Sequence, residues 1–205
     1  AGGAAHIEFG VAHIGIFHRQ GVLVTDPQRF QDSNVRSPDY YVARTSVRCW
    51  YCGLPTWLLA LALPHGHETL EADAAPDGTA RDGSASDETP GVHDAEAWQR
   101  AGGSAFVFYV QQLPQAVQDR LTQLSRFFRL SFSEATLNSY WANHCEHCGT
   151  LLGDHELHCE PDGAFMPSSE AEAANIRLLH IAEPFAAVTA GYALEPEFFG
   201  SCAKE

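Results

Sequence analysis

Two short stretches of this 205-residue chain share one pattern, a pair of cysteines three positions apart with a glycine directly after the second. The stretches are RCWYCGLP and HCEHCGTL, and the residues of the pattern are Cys49, Cys52, Gly53, Cys145, Cys148 and Gly149. Two thiolates at this spacing can hold one metal ion in a tight turn, and the glycine adopts positive φ without a steric penalty. Two such knuckles, at 49–53 and 145–149, supply the four sulfur ligands that tetrahedral zinc takes at structural sites. The pattern predicts one structural Zn²⁺ per chain.

The separation of the two pairs is unusual, because 92 residues lie between Cys52 and Cys145. Zinc sites with this ligand pattern usually have about 15–20 residues between the pairs. Loop closure costs only about 0.6 kcal/mol more for each doubling of the loop length, so a long connection is compatible with one shared metal. A shared metal would bring the segment 40–63 beside the segment 140–152.

Other chemistries of paired cysteines stay open at this point. They are iron in the same four-sulfur geometry, two separate metal sites, disulfides in an exported chain, and a thioredoxin-like redox pair. A redox pair of that type stands at the start of a helix that follows a strand. A glycine follows both pairs and Pro55 follows the first one closely, which favours knuckles over helix starts.

Charge is the second constraint on function. The chain has 26 acidic and 12 basic residues, and its formal net charge is −14. A field of this sign repels phosphate backbones and favours basic partners, so we do not expect a nucleic-acid partner. Nine acidic residues and one arginine lie in residues 65–97, which contain almost no large apolar side chain. This composition predicts an acidic flexible loop over 65–97.

A membrane span is not expected. The best apolar run, TWLLALAL at 56–63, is bounded by Pro55 and Pro64 after eight residues, which predicts a buried strand. The first ten residues do not show the basic and then apolar pattern of a signal peptide. We therefore expect a cytoplasmic protein.

Local patterns predict the other elements. A proline at the first helical position and an apolar stripe predict a helix over 114–129, so that 104–130 forms a strand–helix insertion. Ser169 and Glu172 form a capping-box pattern, which predicts a C-terminal helical segment over 168–205. Branched and aromatic residues predict strands at 22–25, 40–47 and 104–113.

The segments TSVRCWYCGLPTWLLALAL and YWANHCEHCGTLLGDHELHCEPDGAF resemble uncharacterised bacterial proteins with a split four-cysteine zinc ribbon. The resemblance covers about a quarter of the chain and brings no activity with it. It implies a zinc ion held by Cys49, Cys52, Cys145 and Cys148. We therefore predict an α+β fold of one domain, residues 1–205. In it, small antiparallel sheets are organised around the zinc-ribbon-like site, with flanking helices.

Histidines after the second knuckle suggest an alternative function. His155 and His158 are three positions apart and can share one helical face, as ligands of a catalytic zinc do. Glu156 or Glu160 would then act as the general base. The chain has neither the H-E-x-x-H signature nor the H-x-E…P-C-x-x-C signature. Polar residues that alternate on a strand before the Pro-Asp-Gly turn would explain the same stretch structurally.

These observations predict a non-catalytic zinc-binding protein that binds another macromolecule, a protein with a basic face, in the manner of an immunity or adaptor protein. A metal-dependent hydrolase that uses the histidines after the second knuckle is the alternative. A nucleic-acid-binding module that uses the arginines of 19–48 is the weaker alternative. Trp50 and Trp57 are expected to pack around the first knuckle, and Trp141 beside the second, where they would exclude water from the thiolates.

Overall fold

The computed structural model describes residues 14–16, 33–70, 98–194 and 196–205. Most of the regular structure is β. In chain order the strands are β1 Ile14–Ile16, β2 Val35–Ser37, β3 Tyr40–Arg48, β4 Pro55–Leu63, β5 Glu68–Leu70, β6 Trp98–Arg100, β7 Ala105–Gln112, β8 Phe128–Ser133, β9 Asn138–His144, β10 Leu151–Leu152, β11 Arg177–Ile181, β12 Phe185–Leu194 and β13 Ala203–Lys204. The helices are α1 Gln115–Leu124, α2 Asp154–His158, α3 Glu170–Ala173 and a 3₁₀ helix, Phe199–Ser201.

Ten of these strands form one large sheet in the order β13-β11-β3-β4-β7-β12-β2-β5-β6, and β1 also pairs with β12. Its pairs are antiparallel except for β11 with β13. Strands β8, β9 and β10 form a separate antiparallel sheet. The α+β class is confirmed, but the main sheet is large rather than small. The reason is that β4 and β7, from the stretch between the two cysteine pairs, lie in the middle of it.

The middle of the large sheet is buried on both faces. On one face α1 and the three-stranded sheet cover Val42, Leu59 and Leu61, and on the other the segment around α2 and α3 covers Ala43, Leu58 and Ala60. Because β4 is covered on both sides, its sequence is a continuous apolar run rather than an alternation. The strands predicted at 40–47, 56–63 and 104–113 are confirmed as β3, β4 and β7.

The predicted helix over 114–129 is too long. Helix α1 ends at Leu124, and Ser125 is extended, with φ −158°. Phe128, which continues the apolar stripe in the sequence, instead begins β8 and pairs with Asn143 of β9. Pairing with β9 therefore overrides the helical pattern at this end.

The predicted helical segment over 168–205 is wrong for most of its length. Half of the capping box forms, since the hydroxyl of Ser169 accepts from the Glu172 N–H at 3.3 Å. The carboxylate of Glu172 instead accepts from Ser168, and α3 ends after four residues. A capping box defines where a helix starts and says nothing of its length. The rest of the segment forms β11, β12, a 3₁₀ helix and β13, and β12 alternates buried and half-buried residues.

Part of the predicted acidic loop is ordered. Residues 68–70 form β5, which lies between β2 and β6, and His67 is buried. Residues 71–97 and the strand predicted at 22–25 lie outside the described residues. Among the helices of the described ranges, none has the length and apolar character needed to cross a bilayer.

Candidate metal centre

Each cysteine pair lies in the turn between two antiparallel strands. Strand β3 leads into Cys49, and β4 begins three residues after Cys52. Strand β9 leads into Cys145, and β10 begins three residues after Cys148. The same local arrangement therefore occurs twice, at the end of the large sheet and at the end of the three-stranded sheet.

The two turns have nearly identical backbone hydrogen bonds. The N–H of Gly53 donates to the carbonyl of Cys49 at 2.8 Å, and that of Gly149 donates to the carbonyl of Cys145 at 2.9 Å. In both turns the N–H of the first cysteine donates to the carbonyl five residues later, at 2.9 Å. The glycines have φ of +73° and +75°, which confirms the left-handed conformation that their position predicts.

The four thiols meet in one cluster. Their sulfur atoms all lie within 4.8 Å of one another. Sγ of Cys49 is 3.7 Å from Sγ of Cys148, and Sγ of Cys52 is 3.6 Å from Sγ of Cys145. A tetrahedral ion with metal–sulfur bonds of about 2.3 Å places its sulfurs about 3.8 Å apart. The donor atoms and their spacing therefore fit one four-sulfur metal ion, and all four cysteines are free thiols in this structure.

Backbone N–H groups favour the thiolate form of part of this cluster. Burial disfavours ionisation of Cys145, but the N–H groups of Cys148 and His147 point at its sulfur and lower its pKa to about 6. The N–H of Leu54 lowers the pKa of Cys52, but burial and hydrogen bonds with the other three thiols outweigh it and raise that pKa to about 12. Four thiolates this close together repel, so a cation is needed to ionise all of them.

Polar contacts beside the sulfurs join the two turns directly. The N–H of Glu146 donates to the hydroxyl of Thr56 at 3.0 Å, and the carboxylate of Glu146 accepts from the N–H of Trp57 at 3.4 Å. Nε2 of His147 lies 2.9 Å from the carbonyl oxygen of Pro55. Residues between the second pair of cysteines thus bind the first residues of β4.

Asn143 makes a further link that sequence reasoning missed. Its carboxamide accepts from the N–H of Leu59 and donates to the carbonyl of Leu59, both at 2.8 Å. The side chain therefore replaces a neighbouring strand along β4 at a buried position next to the metal centre. An asparagine inside the otherwise apolar run YWANH was the available signal, because buried amides require partners.

The structure does not bring His155 and His158 together as metal ligands. His155 is exposed, and its Nε2 is 2.9 Å from a carboxylate oxygen of Glu160. His158 is buried, and its ring stacks between Phe108 and Phe165, each at 5.0 Å between ring centroids. Burial lowers the pKa of His158 to about 3. Within the described ranges, the cysteine cluster is the group of at least three potential ligands whose donor atoms converge.

Local contacts engage the described arginines of the 19–48 segment. Arg36 is 2.6 Å from Glu68, and its guanidinium lies 4.0 Å from the ring centre of Trp98. The guanidinium of Arg44 lies over Trp57, and that of Arg48 donates to the carbonyl of Gly53 at 3.2 Å. Residues 19–32 lie outside the described part of the chain.

The tryptophans differ from expectation at the first knuckle. Trp50 is 72% exposed and Trp57 is 48% exposed, so neither encloses the thiolates. With Tyr51 and Leu54, which are 69% and 47% exposed, they form an exposed aromatic patch. Trp141 is buried, but it packs in the core against Phe128 rather than around the sulfurs.

The chain was compared with protein-family models, curated proteins and solved structures, and none of the three comparisons gives a match.

Proposed function

We propose that the chain is a zinc-binding protein in which Cys49, Cys52, Cys145 and Cys148 hold one structural Zn²⁺ per chain. The convergence of four sulfurs at tetrahedral spacing carries this proposal. Zinc is favoured over iron because the two segments resemble split zinc ribbons. When bound, the ion offsets part of the negative charge of the four thiolates and joins the turn of the large sheet to the turn of the three-stranded sheet.

The proposed role is non-catalytic binding of another protein that has a basic face. Between Leu130 and Ile176 the chain carries eight acidic residues and no lysine or arginine. Five of these carboxylates are exposed around α2 and α3, and we call this stretch the acidic segment: Glu156, Glu160, Asp162, Glu170 and Glu172. The exposed aromatic patch lies on the neighbouring knuckle, and tryptophan, tyrosine and arginine are typical of interface hot spots.

The metal assignment is tested by elemental analysis of protein purified without added metal or chelator. We expect one zinc per chain in the wild type and in Cys159→Ser, which alters a thiol outside the cluster. Cys49→Ser is expected to lose the zinc. Full zinc content in Cys49→Ser would contradict the shared site.

The electrostatic part is tested with a fluorescein-labelled decalysine peptide as a minimal basic partner. We expect binding that weakens as NaCl rises, because exposed charges are screened over about 10 Å at 0.1 M salt. The fourfold variant E156Q/E160Q/D162N/E170Q neutralises exposed carboxylates and should reduce the affinity at least about tenfold. Equal affinity of wild type and variant would overturn the acidic-surface proposal.

A further inference from the structure

Strand β3 has a free edge next to the metal centre. The strand runs from Tyr40 to Arg48, but β11 pairs with it only as far as Arg44, which lies opposite Arg177. Before Arg177 the chain does not continue along β3, because the N–H groups of Asn175 and Ile176 bond back to carbonyls of α3. Within the described ranges, no strand therefore pairs with residues 45–48 on this side of β3.

The backbone groups of Ser46 point toward this free edge. Asn143 binds both the backbone N–H and the backbone carbonyl of Leu59 in β4, so these two groups point away from β3. Backbone groups of successive residues in a strand point to opposite sides. Those of Leu58 therefore point toward its partner Thr45 in β3, and those of Ser46 point away from β4. Ser46 is exposed, β11 does not pair with it, and no bond from a turn or loop of the described residues reaches its N–H or carbonyl.

A half-open cavity of about 370 Å³ runs along this edge. Thr45, Ser46 and Val47 line one side of it, and Ala164 and Pro167 lie among the residues that line the rest. Four residues of strand span about 13 Å, which is long enough to pair with a short extended peptide. The cavity is thus an open space beside the part of β3 whose outward backbone groups no strand of the described ranges pairs with.

The charge at this cavity favours a basic ligand. Its lining contains the two ionic groups Glu172 and Arg177. Arg177 is paired with Glu205 at 3.1 Å. The carboxylate of Glu172 accepts from the N–H and the hydroxyl of Ser168, at 2.8 and 2.9 Å, and these bonds lower its pKa. Glu172 therefore stays ionised without a basic partner among the described residues, and it belongs to the acidic segment.

Two arginines of β3 stand on the knuckle side of this edge. Arg44 lies over Trp57, with 5.2 Å from its guanidinium carbon to the ring centre, and Arg48 is bonded to the carbonyl of Gly53. Arg48 is thus bonded within the knuckle, while Arg44 lies over Trp57 of β4, which lines the cavity; neither arginine belongs to the lining itself. On the side of the cavity away from the knuckle, the charge of the acidic segment, through Glu172, is therefore negative.

We propose that an extended, basic segment of the partner protein adds to the large sheet at the free edge of β3. The segment would run antiparallel to β3 in line with β11, exchange hydrogen bonds with the backbone of Ser46, and place lysine or arginine side chains near Glu172. Strand addition of this kind takes its affinity from main-chain hydrogen bonds and its specificity from the flanking side chains. This inference rests on the proposed function for the identity of the partner as a basic protein.

The test uses the zinc-loaded full chain and three fluorescein-labelled nonapeptides, with binding followed by fluorescence anisotropy. The first peptide alternates threonine and lysine, and the second has glutamate in place of lysine. The third has the sequence of the first, but every central backbone nitrogen is methylated. We expect the lysine peptide to bind at least about tenfold more tightly than either of the others. The methylated peptide lacks several N–H donors, and the glutamate peptide has the same charge sign as Glu172.

Ser46→Pro is the diagnostic variant of the protein. Proline removes the N–H that points to the free edge, and edge positions tolerate proline because no ladder bond is lost. We expect Ser46→Pro to keep the melting temperature and to bind the lysine peptide about tenfold more weakly. Ser46→Ala keeps the N–H and should bind like the wild type. Glu172→Gln, which keeps a hydrogen-bond acceptor for Ser168, should weaken lysine-peptide binding several-fold.

The outcomes separate this inference from the proposed function. If the methylated peptide and Ser46→Pro bind as well as their references, pairing at the edge is overturned, while salt-sensitive decalysine binding still supports the acidic surface. If the glutamate peptide binds as well as the lysine peptide and Ser46→Pro weakens both, the edge is supported and the basic partner is overturned. Tighter binding of a labelled single-stranded oligonucleotide, or dimerisation of the chain that Ser46→Pro abolishes, would overturn the protein partner. If none of the peptides binds the wild-type chain, the inference is overturned. This result does not depend on whether the Ser46→Pro variant folds.

Discussion

Asn143 shows how one side chain can connect two sheets. It belongs to β9 of the three-stranded sheet, yet its carboxamide satisfies both backbone groups of Leu59 in β4. Both residues are buried, so water cannot replace the bonds at low cost. The same contact shows that the backbone groups of Leu59 point away from β3, and the register of β3 and β4 then gives the direction of the backbone groups of Ser46.

Asn143→Ala is expected to lower the free energy of unfolding by about 2–6 kcal/mol. The variant leaves one buried N–H and one buried carbonyl without a partner, and each such group costs about 1–3 kcal/mol. Urea unfolding followed by circular dichroism measures the change. Asn138→Ala, at an exposed position of the same strand, is the matched control and should change stability by less than about 0.5 kcal/mol. Equal losses in the two variants would contradict the role of Asn143.

Asp154 should make stability depend on pH. Its carboxylate accepts from the N–H of Tyr109 at 2.6 Å, and Tyr109 has a left-handed backbone with φ +51°. Burial raises the pKa of Asp154 from 3.8 to about 7, even though this hydrogen bond lowers it. Between about pH 4 and pH 7 the folded state therefore holds a proton that the unfolded state has released. For this group alone, the free energy of unfolding falls as the pH rises through that range.

Asp154→Asn should remove this contribution, because asparagine keeps the acceptor and carries no charge. The difference in free energy of unfolding, variant minus wild type, is expected to grow from pH 4 to pH 8. Its slope can reach about 1.4 kcal/mol per pH unit. Urea titrations at several pH values give the difference directly, and the opposing effect of buried His158 is common to both proteins. Asp162→Asn, at an exposed position, should show no such trend, and a constant difference for Asp154→Asn would contradict the raised pKa.

At the scale of the element, the two knuckles have the same turn conformation but different residues between their cysteines. Cysteine spacing and the following glycine are shared, whereas the residues between the cysteines differ. Trp50 and Tyr51 of the first turn are exposed to solvent, while Glu146 and His147 of the second bind the first residues of β4. The four cysteines thus occupy equivalent positions in the two turns, but the residues between the cysteines are exposed aromatic side chains in the first turn.

Gly149→Ala should strain the second knuckle. Its φ of +75° is a conformation that a residue with a Cβ adopts at a cost of about 1–3 kcal/mol, although no atom lies within 4 Å of the added Cβ. We expect weaker zinc binding, by roughly tenfold or more, in a competition titration with a chromogenic chelator. Gly200→Ala also adds a Cβ to open space, but without positive φ, and should bind zinc like the wild type. Unchanged zinc affinity in Gly149→Ala would show that the turn tolerates alanine.

At the scale of the whole molecule, the cysteine cluster lies between the turns of two sheets that the hydrophobic core also holds together. Zinc bound to the folded chain should therefore stabilise the entire structure, with each tenfold rise in free zinc above the dissociation constant adding about 1.4 kcal/mol. Unfolding in urea at several buffered zinc concentrations measures this dependence. Cys49→Ser should lose it and Cys159→Ser should keep it. A zinc-independent midpoint for the wild type would contradict a structural metal.

The sequence alone determined the two cysteine turns and the strands β3, β4 and β7. These features depend on the ligand spacing, on one glycine conformation and on apolar or branched runs within a few residues. Only the tertiary structure decided that β4 and β7 lie in the middle of a large sheet, and that 177–181 and 185–194 form strands rather than helix. It also decided that Trp50 and Trp57 are exposed and that Asn143 replaces a strand beside Leu59. The reason is that pairing, register and burial arise from contacts between residues far apart in the chain, which local composition does not specify.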